Sequence, residues 1–126
     1  MPAFHFTLSS GLFGLPHGAA SVDWAVVNDS GHSQDFRITV FKGGVGVAKT
    51  PVPPGPLDQT CAAGFVIHNA NSIGPGSPFV PGFYYEVVIE CNDRKILPTV
   101  TVWQDHSNTI IAGTTIGPAS FVLISG

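Results

Sequence analysis

Apolar residues return at every second position through most of the chain, and no segment of ten or more residues carries a helical period. "FHFTL" places Phe4, Phe6 and Leu8 on one face of an extended segment. "SVDWAVVND" does the same for Val22, Trp24 and Val26, with Asp23 and Ala25 opposite. "DFRITVF" aligns Phe36, Ile38 and Val40 against Arg37 and Thr39. Between these two lies "NDSGHSQ", residues 28–34, dense in turn formers, so the spacing predicts a hairpin of two amphipathic strands.

Farther on, "FYYEVVIEC" turns Val87, Ile89 and Cys91 to one side, and "NDRK" is a polar turn. "ILPTVTVW" then reads as the partner strand, with Val100 and Val102 on one face and Trp103 on the other. "LDQTC", "FVIHNAN", "TIIAG" and "SFVLIS" read as further short strands, and "SIGPGSPFVPG" as a loop. "GGVGVAKTPVPPGP" carries Pro51, Pro53, Pro54 and Pro56, which cannot donate to a ladder, so it reads as an edge segment or a crossing loop. About eight or nine short strands with a turn every 8–12 residues predict one all-β domain over residues 1–126. Its expected form is an immunoglobulin-like or jelly-roll β-sandwich, with a closed barrel as the alternative. Residues 1–20 are expected to be an N-terminal extension or an exchanged strand.

The "DWAVVNDSGHSQDFRITVF" stretch, the "FYYEVVIE" strand and "PTVTVW" resemble an immunoglobulin-like sandwich of the bacterial CARDB or fibronectin III kind, over roughly residues 20 to 105. The likeness is a pattern of strands, and it implies a fold without an activity. Such modules usually sit in long secreted proteins, a setting from which this chain departs. With its closing "IIAGTTIGPASFV", the chain is also similar to small proteins of spore-forming bacteria.

Composition narrows the setting. Charged residues are 10% of the 126, against about 25% in an average soluble domain, and the formal net charge is −3. So little charge suits an assembly, a surface or the outside of a cell. Five scattered basic residues argue against nucleic acid as a partner. No apolar run approaches the roughly 18 residues of a membrane span. "MPAFHFTLSSGLFGLP" lacks the basic start of a secretory signal, which leaves an intracellular chain or one that reaches the outside by another route; with so little charge, the expected location is extracellular or the cell or spore surface.

Strand direction and alternation bring Cys61 and Cys91 to one end of the sandwich and to its inner face. The expectation is an intrachain disulfide closing a loop of about 30 residues, worth about 3–4 kcal/mol; two separate buried thiols are the alternative. No basic residue shares a face with either sulfur, which argues against a catalytic thiol.

The five histidines lack ligand spacing, and the only methionine is Met1, so neither a zinc nor a copper site is expected. Glu86 and Glu90 lie about 13 Å apart along one strand, too far for a glycosidase pair. No catalytic residue and no cofactor are expected, and the glycines of "FKGGVGV" have no phosphate-loop lysine pattern.

Two features remain. Phe41, Tyr84 and Trp103 fall on outer faces and could stack on a polysaccharide or bury in a surface protein. The strands at the two chain ends are nearly uncharged, and an unprotected edge invites pairing with another copy. The leading expectation is therefore a non-enzymatic structural subunit that forms a homo-oligomer or polymer, a surface layer or filament. Its contact is a terminal strand carrying Phe4, Phe6 and Leu8. A carbohydrate- or protein-binding adhesion module is the alternative.

Overall fold

The computed structural model describes residues 4–74, 76–104, 109–111 and 114–126. These form ten strands: β1 (Phe6–Ser9), β2 (Phe13–Gly14), β3 (Ala19–Asn28), β4 (Gln34–Gly43), β5 (Thr50–Cys61), β6 (Val66–Ser72), β7 (Tyr84–Cys91), β8 (Ile96–Gln104), β9 (Thr109–Ile110) and β10 (Val122–Ser125). They make an all-β sandwich of two antiparallel sheets. The larger has the order β10-β1-β7-β4-β5, with β2 also paired to β7; the smaller has the order β6-β3-β8-β9.

The period-two pattern sets which side chains are inside. Val22, Trp24 and Val26 of β3 face Phe36, Ile38 and Val40 of β4, and all six are buried. Val87 and Ile89 of β7 and Val100 and Val102 of β8 complete the layer. At about 1.5–3 kcal/mol for each fully buried large side chain, this alternation is what commits the sequence to two facing sheets. Phe79, from the stretch read as a loop, is buried as well. Its ring lies 6.0 Å from Trp24 and 5.2 Å from Tyr85. The Tyr85 hydroxyl pins that loop, accepting from the Val80 N–H at 2.8 Å and donating to the Pro78 carbonyl at 3.0 Å.

Two expected pairings are corrected. β3 and β4 do not form a hairpin, and neither do β7 and β8. Each pair straddles the two sheets, and the ladders run instead between β3 and β8 and between β4 and β7. The reason lies at the corner. Asn28, fully buried, donates through Nδ2 to the carbonyls of His32 at 2.6 Å and Cys61 at 2.8 Å. Its Oδ1 accepts from the Ser30 N–H and hydroxyl. The turn formers of "NDSGHSQ" thus carry the chain from one sheet to the other rather than back along the same one.

The disulfide is also corrected: Cys61 and Cys91 are both free and buried. They do share an end and a face, but β4 runs between them. Cys61 pairs with Gln34 on one side of β4, and Cys91 pairs with Phe36 on the other. Two strand spacings, about 9.6 Å, exceed the roughly 7 Å that a disulfide spans.

Candidate functional site

The hairpin between β4 and β5 projects from one end of the sandwich. The Val47 N–H bonds the Gly44 carbonyl at 3.2 Å, and Gly46 takes φ +76°, the positive value that the third position of a type II turn needs. This sets Val45 at the apex, 92% exposed. Leu12, beside β2, and Tyr84, at the start of β7, flank the hairpin because β2 and β4 both pair with β7 there. Leu12, Val45, Val47, Phe83 and Tyr84 are five of the eleven large apolar side chains that stand exposed among the described residues. A groove of about 360 Å³ runs along one side of the hairpin, lined by Leu12, Val45, Val47, Lys49 and Tyr84.

Behind this tip, on the outer face of the larger sheet, Glu86 is tied down. Lys49 Nζ lies 2.7 Å from its Oε1, and the Ser9 hydroxyl donates to its Oε2 at 2.5 Å. Burial alone would raise the Glu86 pKa, but the bonds from Lys49 and Ser9 outweigh it and hold the carboxylate below its ordinary range. Lys49 also sits 4.5 Å from the Phe41 ring. Glu86 is thus kept ionised inside a net-neutral cluster, and Ser9 is buried.

The expected ligand-facing aromatics do not form one platform. Phe41 and Tyr84 lie on the outer face of the larger sheet, with Phe41 covered by Lys49. Trp103 belongs to β8 in the other sheet, half-buried and paired with Ser21 and Ile110. The expected assembly residues are within the chain's own fold. β1 lies between β7 and β10, with Leu8 buried and Phe6 packed against the core. Phe4 lies under the Arg37 guanidinium at 5.7 Å.

A smaller cavity, about 40 Å³, opens between β5 and β6 and is lined by Trp24, Leu57, Gln59, Ile67 and Asn69. It is of water size. Trp24 Nε1 is the buried side-chain polar atom without a partner among the described residues. Among those residues no three His, Cys, Asp or Glu side chains converge as metal ligands, and no helix is long and apolar enough to cross a membrane. His68 lies 3.3 Å from Asp23 on an exposed face, and His106 falls outside the described residues.

The sheet edges are the features that sequence reading resolved least. The larger sheet ends in β10 and β5, the smaller in β6 and β9. β6 runs seven residues, "VIHNANS", with no proline, no acidic or Lys/Arg side chain, no register shift against β3 and no buried side chain. Phe65 and Val66 stand exposed at its start. β10, "VLIS", is likewise uncharged and has no buried side chain, though it is shorter and bulged against β1. Alternation marked both as strands; edge position depends on strand order, which alternation does not encode. No family model matches the chain, and no curated protein matches it.

Proposed function

We propose that the protein is a non-enzymatic structural subunit that self-assembles edge to edge at the surface of a cell or spore. The observation that carries this reading is the open β6 edge. From Val66 to Ala70 it presents a row of backbone donors and acceptors with nothing in the strand to repel a partner, while the Ser72 carbonyl at its end already accepts from the Ser77 hydroxyl. β6 lies beside β5 across the small cavity, while β10 ends the opposite flank of the larger sheet. Pairing the β10 of one copy with the β6 of the next is heterologous, so it repeats without closing and extends a filament. Each backbone bond gained contributes about 0.5–1.5 kcal/mol, and Val66 and Val122 add apolar burial. The terminal strand in this reading is β10, with β1 kept inside its own sheet.

The test uses variants blocked at one edge. His68→Lys with Ala70→Lys blocks β6, and Val122→Lys with Ile124→Lys blocks β10, all at exposed positions. The parent chain should sediment as long assemblies and each blocked variant as a monomer. An equimolar mixture of the two variants should give heterodimers and nothing longer. A β10-blocked variant that still dimerises alone would mean β6 pairs with itself. A parent chain that stays monomeric at high concentration would end the structural reading.

A further inference from the structure

The hairpin tip has a chemistry that edge pairing does not use. Its apolar side chains form a projecting wedge, and Lys42 and Lys49 bracket the loop on both strands. Charge is unevenly distributed along the molecule. Lys42, Lys49 and Glu86 lie at the tip end, a balance of +1. Asp29, Asp35, Asp58, Glu90 and Asp93 with Arg37, Arg94 and Lys95 lie toward the other end, a balance of −2. Asp23 is central on the smaller sheet, and Asp105 falls outside the described residues. We propose that this tip is a membrane-surface anchor, with Val45, Val47, Leu12 and Phe83 entering the outer layer of an anionic lipid bilayer.

Three observations favour lipid over a protein partner. The wedge stands out from the fold, with Val45 at the apex 92% exposed, and a fluid interface accepts such a shape without a matching socket. Lys42 Nζ lies 4.2 Å from the Phe83 ring, which holds that cation at the rim where headgroup phosphates would lie, while Lys49 neutralises Glu86 just behind it. Tyr84, half-exposed beside the wedge, has the amphipathic ring that settles at the boundary between lipid and water. The negative balance at the other end orients the tip, rather than the opposite corner, toward an anionic surface.

The test is co-sedimentation of the full chain with vesicles of phosphatidylcholine, with and without phosphatidylglycerol, alongside a vesicle-free control. Binding should rise with phosphatidylglycerol and fall with salt. Val45→Asp should weaken it by at least about tenfold, since an acid replaces the apical apolar group. Lys42→Gln should weaken it about fivefold on the anionic vesicles, and little on neutral ones. Val45 is exposed, so its variant should keep the parent's circular dichroism. Unchanged binding by Val45→Asp, or no binding of the parent to anionic vesicles, would overturn the proposal. So would a change in vesicle-free sedimentation with Val45→Asp, which would make the tip a contact between copies.

Discussion

β5 and β6 are consecutive strands, joined by the turn Ala62–Phe65, and each is the edge of its sheet on the same flank of the molecule. They differ in two properties that govern edge pairing. β5 carries Pro51, Pro53, Pro54 and Pro56. Its register against β4 also slips: Ile38 faces Leu57 while Val40 faces Val52, so five steps on β5 answer two on β4. The register shift interrupts the ladder, and prolines cannot donate, two separate ways of closing an edge. β6 has neither. The hairpin to β4 can hold surplus residues because its ladder resumes on either side of them. β6 meets β3 in seven unbroken pairs, Ser21–Ser72 through Val27–Val66. The proposed β6 contact rests on this contrast between one closed edge and its regular neighbour.

The largest way to break this comparison is to remove residues 2–10. β1 supplies backbone partners to both β7 and β10, and it buries Leu8 and packs Phe6. Losing the buried Leu8 alone costs about 1.5–3 kcal/mol, a large share of a small domain's stability, before Phe6 and the ladders are counted. The truncated chain should fail to show a cooperative thermal transition. A folded, soluble truncation would mean that β1 is dispensable and is free to exchange between copies.

A smaller effect should follow from opening the closed edge. Deleting three residues, 53–55, from the stretch between Val52 and Leu57 would match the two steps of β4 with two on β5. If the closure of β5 is what confines pairing to β6 and β10, this variant should form broader, laterally associated assemblies under the electron microscope. Unaltered filaments would show that the bulge plays no protective part.

Most of the core was legible because burial follows alternation: Val22, Trp24, Phe36, Ile38, Val87 and Val100 all lie inside, as their spacing implied. Pairing was not legible, since a polar turn such as Asn92–Lys95 looks the same whether it reverses a strand within a sheet or carries it across. Phe79 was missed because it sits among Gly and Pro without a repeating partner, and only the Tyr85 hydroxyl shows how that loop is held. At the tip, Tyr84 was marked by parity. Val45, Val47 and Leu12 were not, because their exposure depends on where β2, β4 and β7 end together.

Acid should sharpen the contrast on the outer face of the larger sheet. The folded-state pKa of Glu86 lies below its ordinary value of 4.5, so its stabilising contribution is complete above that value and is lost as pH falls through the lower one. The midpoint of thermal unfolding should drop between about pH 5 and pH 3, and Glu86→Gln should flatten that slope. Ser9 and Lys49 keep their places on either side of a glutamine, so the variant should fold. An acid slope identical to the parent's would remove Glu86 from the account.

The smallest effect concerns the strand that separates the two halves of the larger sheet. β4 stands between Cys61 and Cys91, both buried, with the Cys61 thiol donating to the Phe65 carbonyl at 3.2 Å. Burial pushes the Cys91 thiol up, with Asp93 adding a smaller electrostatic push and its backbone bond opposing. A thiol that is inaccessible and hard to ionise is a poor nucleophile. An aromatic disulfide reagent should therefore leave the native protein unlabelled and titrate two thiols after denaturation. Peptides from protein isolated without reductant should show no Cys61–Cys91 bridge. Gln34→Cys reverses the outcome, because residue 34 lies directly opposite Cys61, with Cα atoms about 4.5–5.5 Å apart. That variant should oxidise to a 34–61 bridge and leave Cys91 free; a 61–91 bridge in either protein would mean that β4 does not lie between β5 and β7.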